Sequence, residues 1–326
     1  MNTRVFSGIQ PTGVLHIGNY LGAIKTWVAL LDDHECIFCI VDQHAITVPY
    51  EPAGMQARIL DAAVGYLACG VDPARCAIFV QSDVPEHTEL AWYFNTVTPV
   101  AYLERMTQYK DKSAQFHEQI NMGLLGYPVL QAADILLYKA GIVPVGEDQS
   151  QHLELTRDVA RKFNRLYGET FPEPRTLVGT APRVAGLDGA AKMSKTLDNY
   201  IAINETPEEI WKKLSTAVTD PARKRRTDPG TPEACNIFSL HAFFSTPAQR
   251  ARVAEGCRTA GIGCLECKRL LAENIARELA PIRERYEALR NDPAAVRRVL
   301  DEGAERCRTI ARETMRDVKG RMGLLR

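Results

Sequence analysis

The chain of 326 residues has no net charge, no low-complexity tract and no long apolar run. Its 40 Lys and Arg balance 40 Asp and Glu, so no overall field attracts nucleic acid. No apolar run approaches the roughly 18 residues that span a bilayer. No charged-then-apolar leader precedes the first strand-like segment. Since 45% of the residues are hydrophobic, the chain can form a core, as one large or two ordinary domains. The lack of a leader and of a membrane segment predicts a soluble, cytoplasmic protein.

The charged residues are unevenly distributed along the chain. Residues 231–326 carry 18 basic and 13 acidic side chains, a balance of +5, which leaves −5 for residues 1–230. A polyanionic partner is therefore expected to favour the C-terminal part. The cluster Arg223-Lys224-Arg225-Arg226 is consistent with a nucleic-acid contact and equally with a solvated loop.

Strand-like and helix-like segments alternate through residues 1–200. This rhythm predicts an α/β fold, a doubly wound parallel Rossmann-like sheet, followed by a C-terminal all-helical domain over residues 201–326. The expected strands are Arg4–Ile9, Cys36–Val41, Ala77–Gln81 and Ile142–Val145. The expected helices are Ile17–Leu31, Arg58–Cys69, Tyr127–Lys139 and Gln151–Tyr167, then Thr206–Ala217, Pro247–Gly256, Leu265–Asn291 and Pro293–Met322.

Two distant segments together indicate a nucleoside-triphosphate site. Pro11–Asn19 lies between a strand and an amphipathic helix, whose N-terminal N–H groups attract phosphate. Within it, His16 can donate to a phosphate oxygen. Lys192–Thr196 supplies two ammonium groups that can stabilise charge on a departing pyrophosphate. Each segment alone is more often ordinary loop or surface, whereas the pair in this order predicts ATP binding.

The two segments resemble the ATP motifs of class I aminoacyl-tRNA synthetases, which read His-Ile-Gly-His and Lys-Met-Ser-Lys-Ser. This chain has Asn19 and Thr196 at the last positions of the two motifs. Both replacements retain a polar side chain. The resemblance implies that the site activates a carboxylate by attack on ATP.

The apolar stretch around Asp134 is the next most informative segment. Pro128 is expected in a first helical turn, and Tyr127, Gln131 and Asp134 follow i, i+4, i+7 spacing, so they share one face. A carboxylate is costly to bury without a partner. Asp134 therefore either pairs with a neighbouring side chain or accepts a donor from a ligand, and an indole N–H is a suitable donor.

Several runs are similar to bacterial tryptophanyl-tRNA synthetases over nearly the whole chain. They are Phe6–Gly13, Val41–Thr47, Leu103–Gln108, Ala132–Leu136 and Val143–Gln149. The resemblance implies that Asp134 accepts the indole N–H and that the tryptophan pocket also contains Tyr127, Gln149, Phe6, His44, Val143 and Val145. Gln131 stands where the family often has Met, which makes that wall more polar.

The same resemblance implies the ATP contacts and the chemistry. Gln10, His16, Lys192 and Lys195 are the expected catalytic groups, with Mg²⁺ accompanying ATP, and L-tryptophan and tRNA(Trp) as the other substrates of a homodimer. Two alternatives remain, a tyrosine-specific synthetase and a synthetase-like tryptophan sensor without aminoacylation. The expected ATP-binding residues are Gln10, Pro11, Thr12, Gly18, Asn19, Gly146, Glu147, Asp148, Val184, Lys192, Met193, Ser194, Lys195 and Thr196.

Four of the nine cysteines form a C-x21-C-x6-C-x2-C pattern, namely Cys235, Cys257, Cys264 and Cys267. Four thiolates with a close terminal pair can hold zinc or an iron–sulfur cluster. Some bacterial members of the resembled family carry a 4Fe-4S cluster on a pattern with one more residue in the long gap. The resemblance therefore implies a 4Fe-4S cluster, with Zn²⁺ as the alternative. The remaining cysteines are expected to be small apolar core residues.

Overall fold

A computed structural model describes residues 3–115, 120–146, 149–178, 184–195 and 197–325, with the side chains of residues 112, 115 and 178 left out. Five parallel strands form one sheet in the order β3-β2-β1-β4-β5. The strands are β1 Arg4–Ile9, β2 Glu35–Ile40, β3 Cys76–Val80, β4 Ile142–Val145 and β5 Arg175–Val178. The predicted Rossmann-like α/β fold is confirmed.

Both faces of the sheet are covered by apolar side chains, as a doubly wound sheet requires. Successive side chains of a strand point to opposite faces. Cys36 accordingly lies in the core on one face and Cys39 in the core on the other. These two thiols pack as small apolar groups, as the sequence predicts.

Fourteen α-helical segments occur among the described residues. The first eight are α1 Ile17–Asn19, α2 Lys25–Leu30, α3 Asp42–Ala45, α4 Met55–Ala68, α5 Glu86–Asn95, α6 Val100–Glu104, α7 Thr107–Gln115 and α8 Met122–Leu137. The others are α9 Ser150–Tyr167, α10 Pro207–Thr216, α11 Asn236–Phe244, α12 Pro247–Arg258, α13 Cys264–Arg290 and α14 Pro293–Arg321. Each predicted helix is present, with ends displaced by a few residues.

The position of Pro128 was predicted wrongly. Helix α8 begins at Met122, where the Asn121 side chain caps it by accepting from the Leu124 N–H at 2.9 Å. Pro128 consequently lies inside the helix, where its ring nitrogen cannot donate to the carbonyl of Leu124. Asn121, and not Pro128, therefore marks the start of this helix.

Some elements were not predicted at all. Strand β5, helices α5 to α7 and helix α11 carry weak or mixed periodicity. The predicted helix from residue 17 also contains a π-helical turn, Tyr20–Ile24, between α1 and α2. Such turns insert one residue into a helix and are frequent at functional sites.

The C-terminal helices α13 and α14 pack directly against the Rossmann-like part of the chain. Helix α13 lies against α4 and α14 against β3. At Gly303 of α14 the contact is so close that an added Cβ would lie 1.9 Å from the Ile78 carbonyl oxygen. None of the helices in the described ranges has both the length and the apolar character to cross a bilayer.

Candidate active site

A cavity lies where β1 and β4 end side by side. Strands β2 and β3 follow β1 in one direction across the sheet and β4 and β5 follow in the other, so this is the point where strand order reverses. Ligands of open α/β sheets bind at such points. The cavity is lined by Ser7, Gly8, Ile9, Gly22, Ala23, Thr26, Trp27, Pro144, Val145, Gly146 and Gln149.

The first predicted ATP motif forms the start of α1. His16 caps the helix because its Nδ1 accepts from the Gly18 N–H at 3.1 Å, while the Asn19 side chain accepts from the His16 N–H at 3.1 Å. An added Cβ on Gly18 would lie 2.8 Å from His16 Nδ1, so a larger residue does not fit there. Asn19 thus has a structural role in this motif. Pro11 is buried beside it, and Gln10 and Thr12 are joined by a backbone hydrogen bond of 2.8 Å.

The second motif folds onto the first. Lys195 Nζ donates to the Thr12 carbonyl oxygen at 3.1 Å, and Gly13, at φ +97°, leaves room beside that ammonium. Met193 is buried, and its N–H donates to the Val184 carbonyl at 3.1 Å. The Ser194 N–H donates to the Asn199 side chain at 2.7 Å, which ties the loop to its own base. Lys192 is exposed.

The second motif also affects the protonation of His16 in the first. Burial, together with the nearby charges of Lys195 and Lys192, lowers the pKa of His16 to about 4. The ring is therefore neutral at pH 7. Since Nδ1 accepts a hydrogen bond, the proton must lie on Nε2, which is left as a donor. Burial lowers the pKa of Lys195 to about 8, against a small opposing effect of Asp61.

Gly22, in the π-helical turn, lines the cavity, and an added Cβ there would meet no atom of the described residues within 4 Å. Glycine weakens a helix by about 1 kcal/mol relative to alanine. Among the residues that the structure describes, no contact explains the small size of this position. By contrast, an added Cβ on Gly8 would lie 2.8 Å from Val41, so Gly8 is needed for packing. The space over Gly22 is open to a ligand.

Asp134 is 1% exposed and is surrounded by donors. Its Oδ2 lies 2.7 Å from His44 Nε2, and its Oδ1 lies 2.7 Å from both Gln81 Nε2 and His87 Nδ1. These contacts outweigh burial and hold the pKa of the carboxyl well below its usual range. Asp134 is consequently an anion, and the expected pairing with neighbouring side chains is present.

Of the other predicted pocket residues, Tyr127 is connected to this anion through His44. Tyr127 and Asp134 both contact His44, the former through ring centroids 6.3 Å apart, so the predicted shared face of α8 is present. Tyr127 also bonds His152 at 2.9 Å, and Gln131 donates to Gln149 at 3.5 Å. Phe6 and Val143 are buried, whereas Val145 and Gly146 are partly exposed at the cavity. Glu147, Asp148 and Thr196 lie outside the described residues.

The four predicted metal-binding cysteines line one cavity in the helical region, together with Arg223. Arg223 Nη1 lies 3.7 Å from Cys257 Sγ, and its buried Nε has no hydrogen-bond partner in the described part of the chain. The type and number of donors suit an iron–sulfur cluster or zinc. However, nowhere in the described ranges do three or more His, Cys, Asp or Glu residues form a group that could hold a metal ion. Metal binding here stays a prediction.

The sequence reasoning missed four residues that shape these sites. They are Gly22, Gln81, His87 and Tyr138. Gln81 was placed at a strand end without a role, and His87 begins a helix that was not predicted. Only the position of Gln81 directly after a buried strand could have indicated a site residue.

Comparison with known proteins decides the family. A family model described as class I tRNA synthetases (W and Y) matches residues 1–280. A tryptophan–tRNA ligase of Deinococcus radiodurans is 54% identical, with 99% of each chain covered. This chain belongs to the tryptophan–tRNA ligase family. It is therefore an aminoacyl-tRNA ligase.

Two further tryptophan–tRNA ligase relatives agree over the full length. The enzyme of Thermotoga maritima is 44% identical, with 99% of each chain covered. The crystal structure of tryptophanyl-tRNA synthetase from Campylobacter jejuni, complexed with ADP and tryptophan, is 38% identical. It superimposes with a TM-score of 0.88, covering 98% of this chain and 100% of its own. The match includes the C-terminal helices.

The half-buried ammonium of Lys195 predicts a pH effect on this ligase. The group is a cation below its pKa of about 8 and becomes neutral above it. We expect kcat/KM for ATP, which reports free-enzyme ionisations, to fall as pH rises through about 8. Lys195→Arg should retain the high-pH activity, because a guanidinium stays charged. Initial rates of pyrophosphate exchange across pH 6–10 measure this. Lys192→Arg is the control, and its kcat/KM for ATP should still fall at high pH. If kcat/KM also falls at high pH in Lys195→Arg, the ionising group is not Lys195.

The open space over Gly22 predicts a second effect. Gly22→Val should raise KM for ATP by about tenfold or more, since a side chain would fill ligand space at a cost of at least ~1.4 kcal/mol. KM for tryptophan should change little. Gly320→Val is the matched control, because Gly320 is also a helical glycine with no atom near its added Cβ. A folded Gly22→Val protein with unchanged KM for ATP would mean that the space is not used.

Proposed function

We propose that this protein activates L-tryptophan with ATP and transfers the tryptophanyl group to tRNA(Trp). The observation that supports this substrate most directly is the ionised, buried Asp134, which is held by donors from three chain segments. A carboxylate of this kind accepts an indole N–H and leaves a costly unpaired charge when an apolar analogue binds.

We propose that the two motifs bind ATP as the sequence predicts. Support comes from the Lys195 contact to Thr12, which brings the second motif over the first. His16 Nε2 is then a donor for a phosphate oxygen, and the Lys192 and Lys195 ammonium groups stabilise the phosphate charge. Mg²⁺, when bound with the triphosphate, would neutralise part of that charge. The other proposed contacts are Gln10, Pro11, Thr12, Gly18, Asn19, Gly146, Glu147, Asp148, Val184, Met193, Ser194 and Thr196.

The tryptophan site lies in this proposal between α8 and the ends of β1, β2 and β4. Asp134 accepts the indole N–H, with His44 beside it. Tyr127 and Gln149 hold the amino-acid ammonium and carboxylate. Phe6, Val143 and Val145 provide apolar walls.

The proposed chemistry needs no protein nucleophile. A carboxylate oxygen of tryptophan attacks the α-phosphorus, the bond to the bridging oxygen of the β-phosphate breaks, and pyrophosphate leaves. A hydroxyl of the terminal tRNA ribose then attacks the acyl carbon, and AMP leaves. Positioning and charge stabilisation carry both steps, in agreement with a site made of donors and cations.

We also propose that residues 201–326 form the domain that binds the tRNA anticodon, supported by the net charge of +5 over residues 231–326. The protein is proposed to act as a homodimer. Support comes from large apolar side chains that are exposed on neighbouring helices α5, α6 and α8, such as Trp92 at 67% and Met122 at 78% exposed.

Amino-acid-dependent pyrophosphate exchange tests the function. We expect exchange with tryptophan and at least about a hundredfold less with tyrosine, because tyrosine leaves the indole contact of Asp134 unmade. Charging of tRNA(Trp) with labelled tryptophan should follow. Asp134→Leu should lose the tryptophan reaction, whereas Gly320→Ala should keep it.

Other outcomes of this test identify the alternatives. Equal exchange with tyrosine would indicate a tyrosine-specific or mixed synthetase. Tryptophan binding without exchange or charging would indicate a sensor that has lost aminoacylation.

For the four cysteines we propose a 4Fe-4S cluster, with Zn²⁺ as the alternative. The proposal is supported by the shared cavity and by the unpartnered Nε of Arg223 at its wall. Such a cluster would stabilise the packing of α11, α12 and α13, whose ends carry the thiols. No reaction step is assigned to it.

Anaerobic purification tests the cysteine site. We expect a brown protein with about four irons per chain, and loss of iron in Cys264→Ser and Cys267→Ser. Cys69→Ser, at a buried core thiol, is the control and should keep the iron. Colourless protein with stoichiometric zinc would replace the cluster by zinc, and metal-free folded protein would contradict both.

A further inference from the structure

We propose that Gln81 and His87 are positioning residues of the tryptophan pocket, which occupy one oxygen of Asp134 and thereby leave a single acceptor position for the indole N–H. This inference rests on the proposed role of Asp134. It assigns a function to two buried side chains that touch no substrate.

The geometry of the carboxylate carries the inference. A carboxylate accepts about four hydrogen bonds, two on each oxygen. Gln81 Nε2 and His87 Nδ1, both at 2.7 Å, fill Oδ1. His44 Nε2 takes one position on Oδ2 at 2.7 Å. Of the donors in the described part of the chain, no other reaches the carboxylate, so one position on Oδ2 is left, beside His44.

Both positioning side chains are themselves fixed. The Gln81 amide oxygen accepts from the Gln43 N–H at 3.2 Å, so its nitrogen must face Asp134. That same contact anchors α3, which carries His44. Gln81 therefore holds the Asp134 carboxylate and also the helix that carries His44, the partner of the other carboxylate oxygen. Both Gln81 and His87 are fully buried.

His87 is held from its other nitrogen. Its Nε2 lies 2.7 Å from the Tyr138 hydroxyl, and Tyr138 follows Asp134 by one turn of α8. Because an anionic carboxylate only accepts, His87 Nδ1 carries a proton and donates it to Asp134, while Nε2 is held by the Tyr138 hydroxyl. Tyr138 also lies in the same core as Cys307 of α14 and stacks on Phe6 at 5.5 Å. The His87 imidazole is thus hydrogen-bonded to Asp134 and to Tyr138 at the same time, so the ring cannot rotate.

With Oδ1 fixed by two donors, the carboxylate cannot rotate about χ2. Losing one donor frees that rotation and adds an acceptor position. Loss of a donor should therefore weaken the preference for a ligand that carries an N–H, while the apolar contacts with the ligand ring remain. If the two residues had a purely structural role, their loss would weaken the N–H preference and the apolar contacts equally.

The test compares tryptophan with β-(3-benzothienyl)alanine, which has sulfur in place of the indole N–H. The measured quantity is the ratio of their kcat/KM values in pyrophosphate exchange. We expect this ratio to fall by about tenfold or more in His87→Leu and in Gln81→Leu, mainly through KM for tryptophan. His87→Asn, which keeps a donor near the Nδ1 position, should restore most of the ratio. KM for ATP should stay within about twofold.

Asn274→Leu is the matched control, because Asn274 of α13 is 3% exposed and would lose three partly buried hydrogen bonds, with Ser245, Gln249 and Arg277. Its ratio should stay at the wild-type value. An unchanged ratio in folded His87→Leu or Gln81→Leu, or an equal loss for both amino acids, overturns the proposal. Absence of tryptophan-dependent exchange in the unaltered protein would instead overturn the proposed function.

A measurement on the unaltered protein covers the case in which the leucine variants do not fold. Nitrogen-15 NMR of histidine-labelled protein should show His87 protonated at Nδ1, with a proton that exchanges slowly with water. A His87 that carries its proton on Nε2 alone cannot donate to Asp134 and overturns the proposal.

Discussion

The burial of the Asp134 charge is the constraint on which the proposed tryptophan pocket depends. An unpaired carboxylate in the interior costs several kcal/mol, and within the described residues this one is stabilised by donors from three separate chain segments. His44 comes from α3, which follows β2, Gln81 from the end of β3, and His87 from the start of α5. Removing any of them leaves the others around an under-bonded anion. The pocket is therefore a consequence of the sheet topology, which brings these strand ends to one edge.

The ATP side is organised by hydrogen bonds within the protein rather than by a ligand. His16 and Asn19 cap each other, and Lys195 reaches Thr12 across the site. A cation lying near the carbonyl of a helix-capping loop has already lost part of its hydration, which is why its pKa falls. A triphosphate entering the site would restore a counter-charge to Lys195. The contact between Lys195 and Thr12 thus places a partly desolvated ammonium group where the proposed triphosphate site requires a cation.

Much of this arrangement could be predicted from the sequence. The β1 strand, the two ATP motifs and Asp134 all carry local patterns, either alternation, glycine spacing or a charge in an apolar run. His87 and Tyr138 carry none, and Gln81 carries only its place directly after a buried strand, because what defines their role is a contact between elements far apart in the chain. Pro128 was misplaced for a related reason, since a cap by Asn121 overrode its usual preference. The π-helical turn at Gly22 depends on one inserted residue, to which helical periodicity is insensitive.

The placement of α14 joins the two ends of the chain into one core. Gly303 allows the helix backbone to approach β3, and Cys307, one turn later, packs in the same core as Phe6 and Val143. Tyr138 lies in that core as well, and its hydroxyl is hydrogen-bonded to His87, which contacts Asp134. A displacement of α14 would therefore open a void beside the proposed tryptophan pocket. Since interiors are close-packed and yield little to small strains, the C-terminal helix and the pocket must move together or not at all.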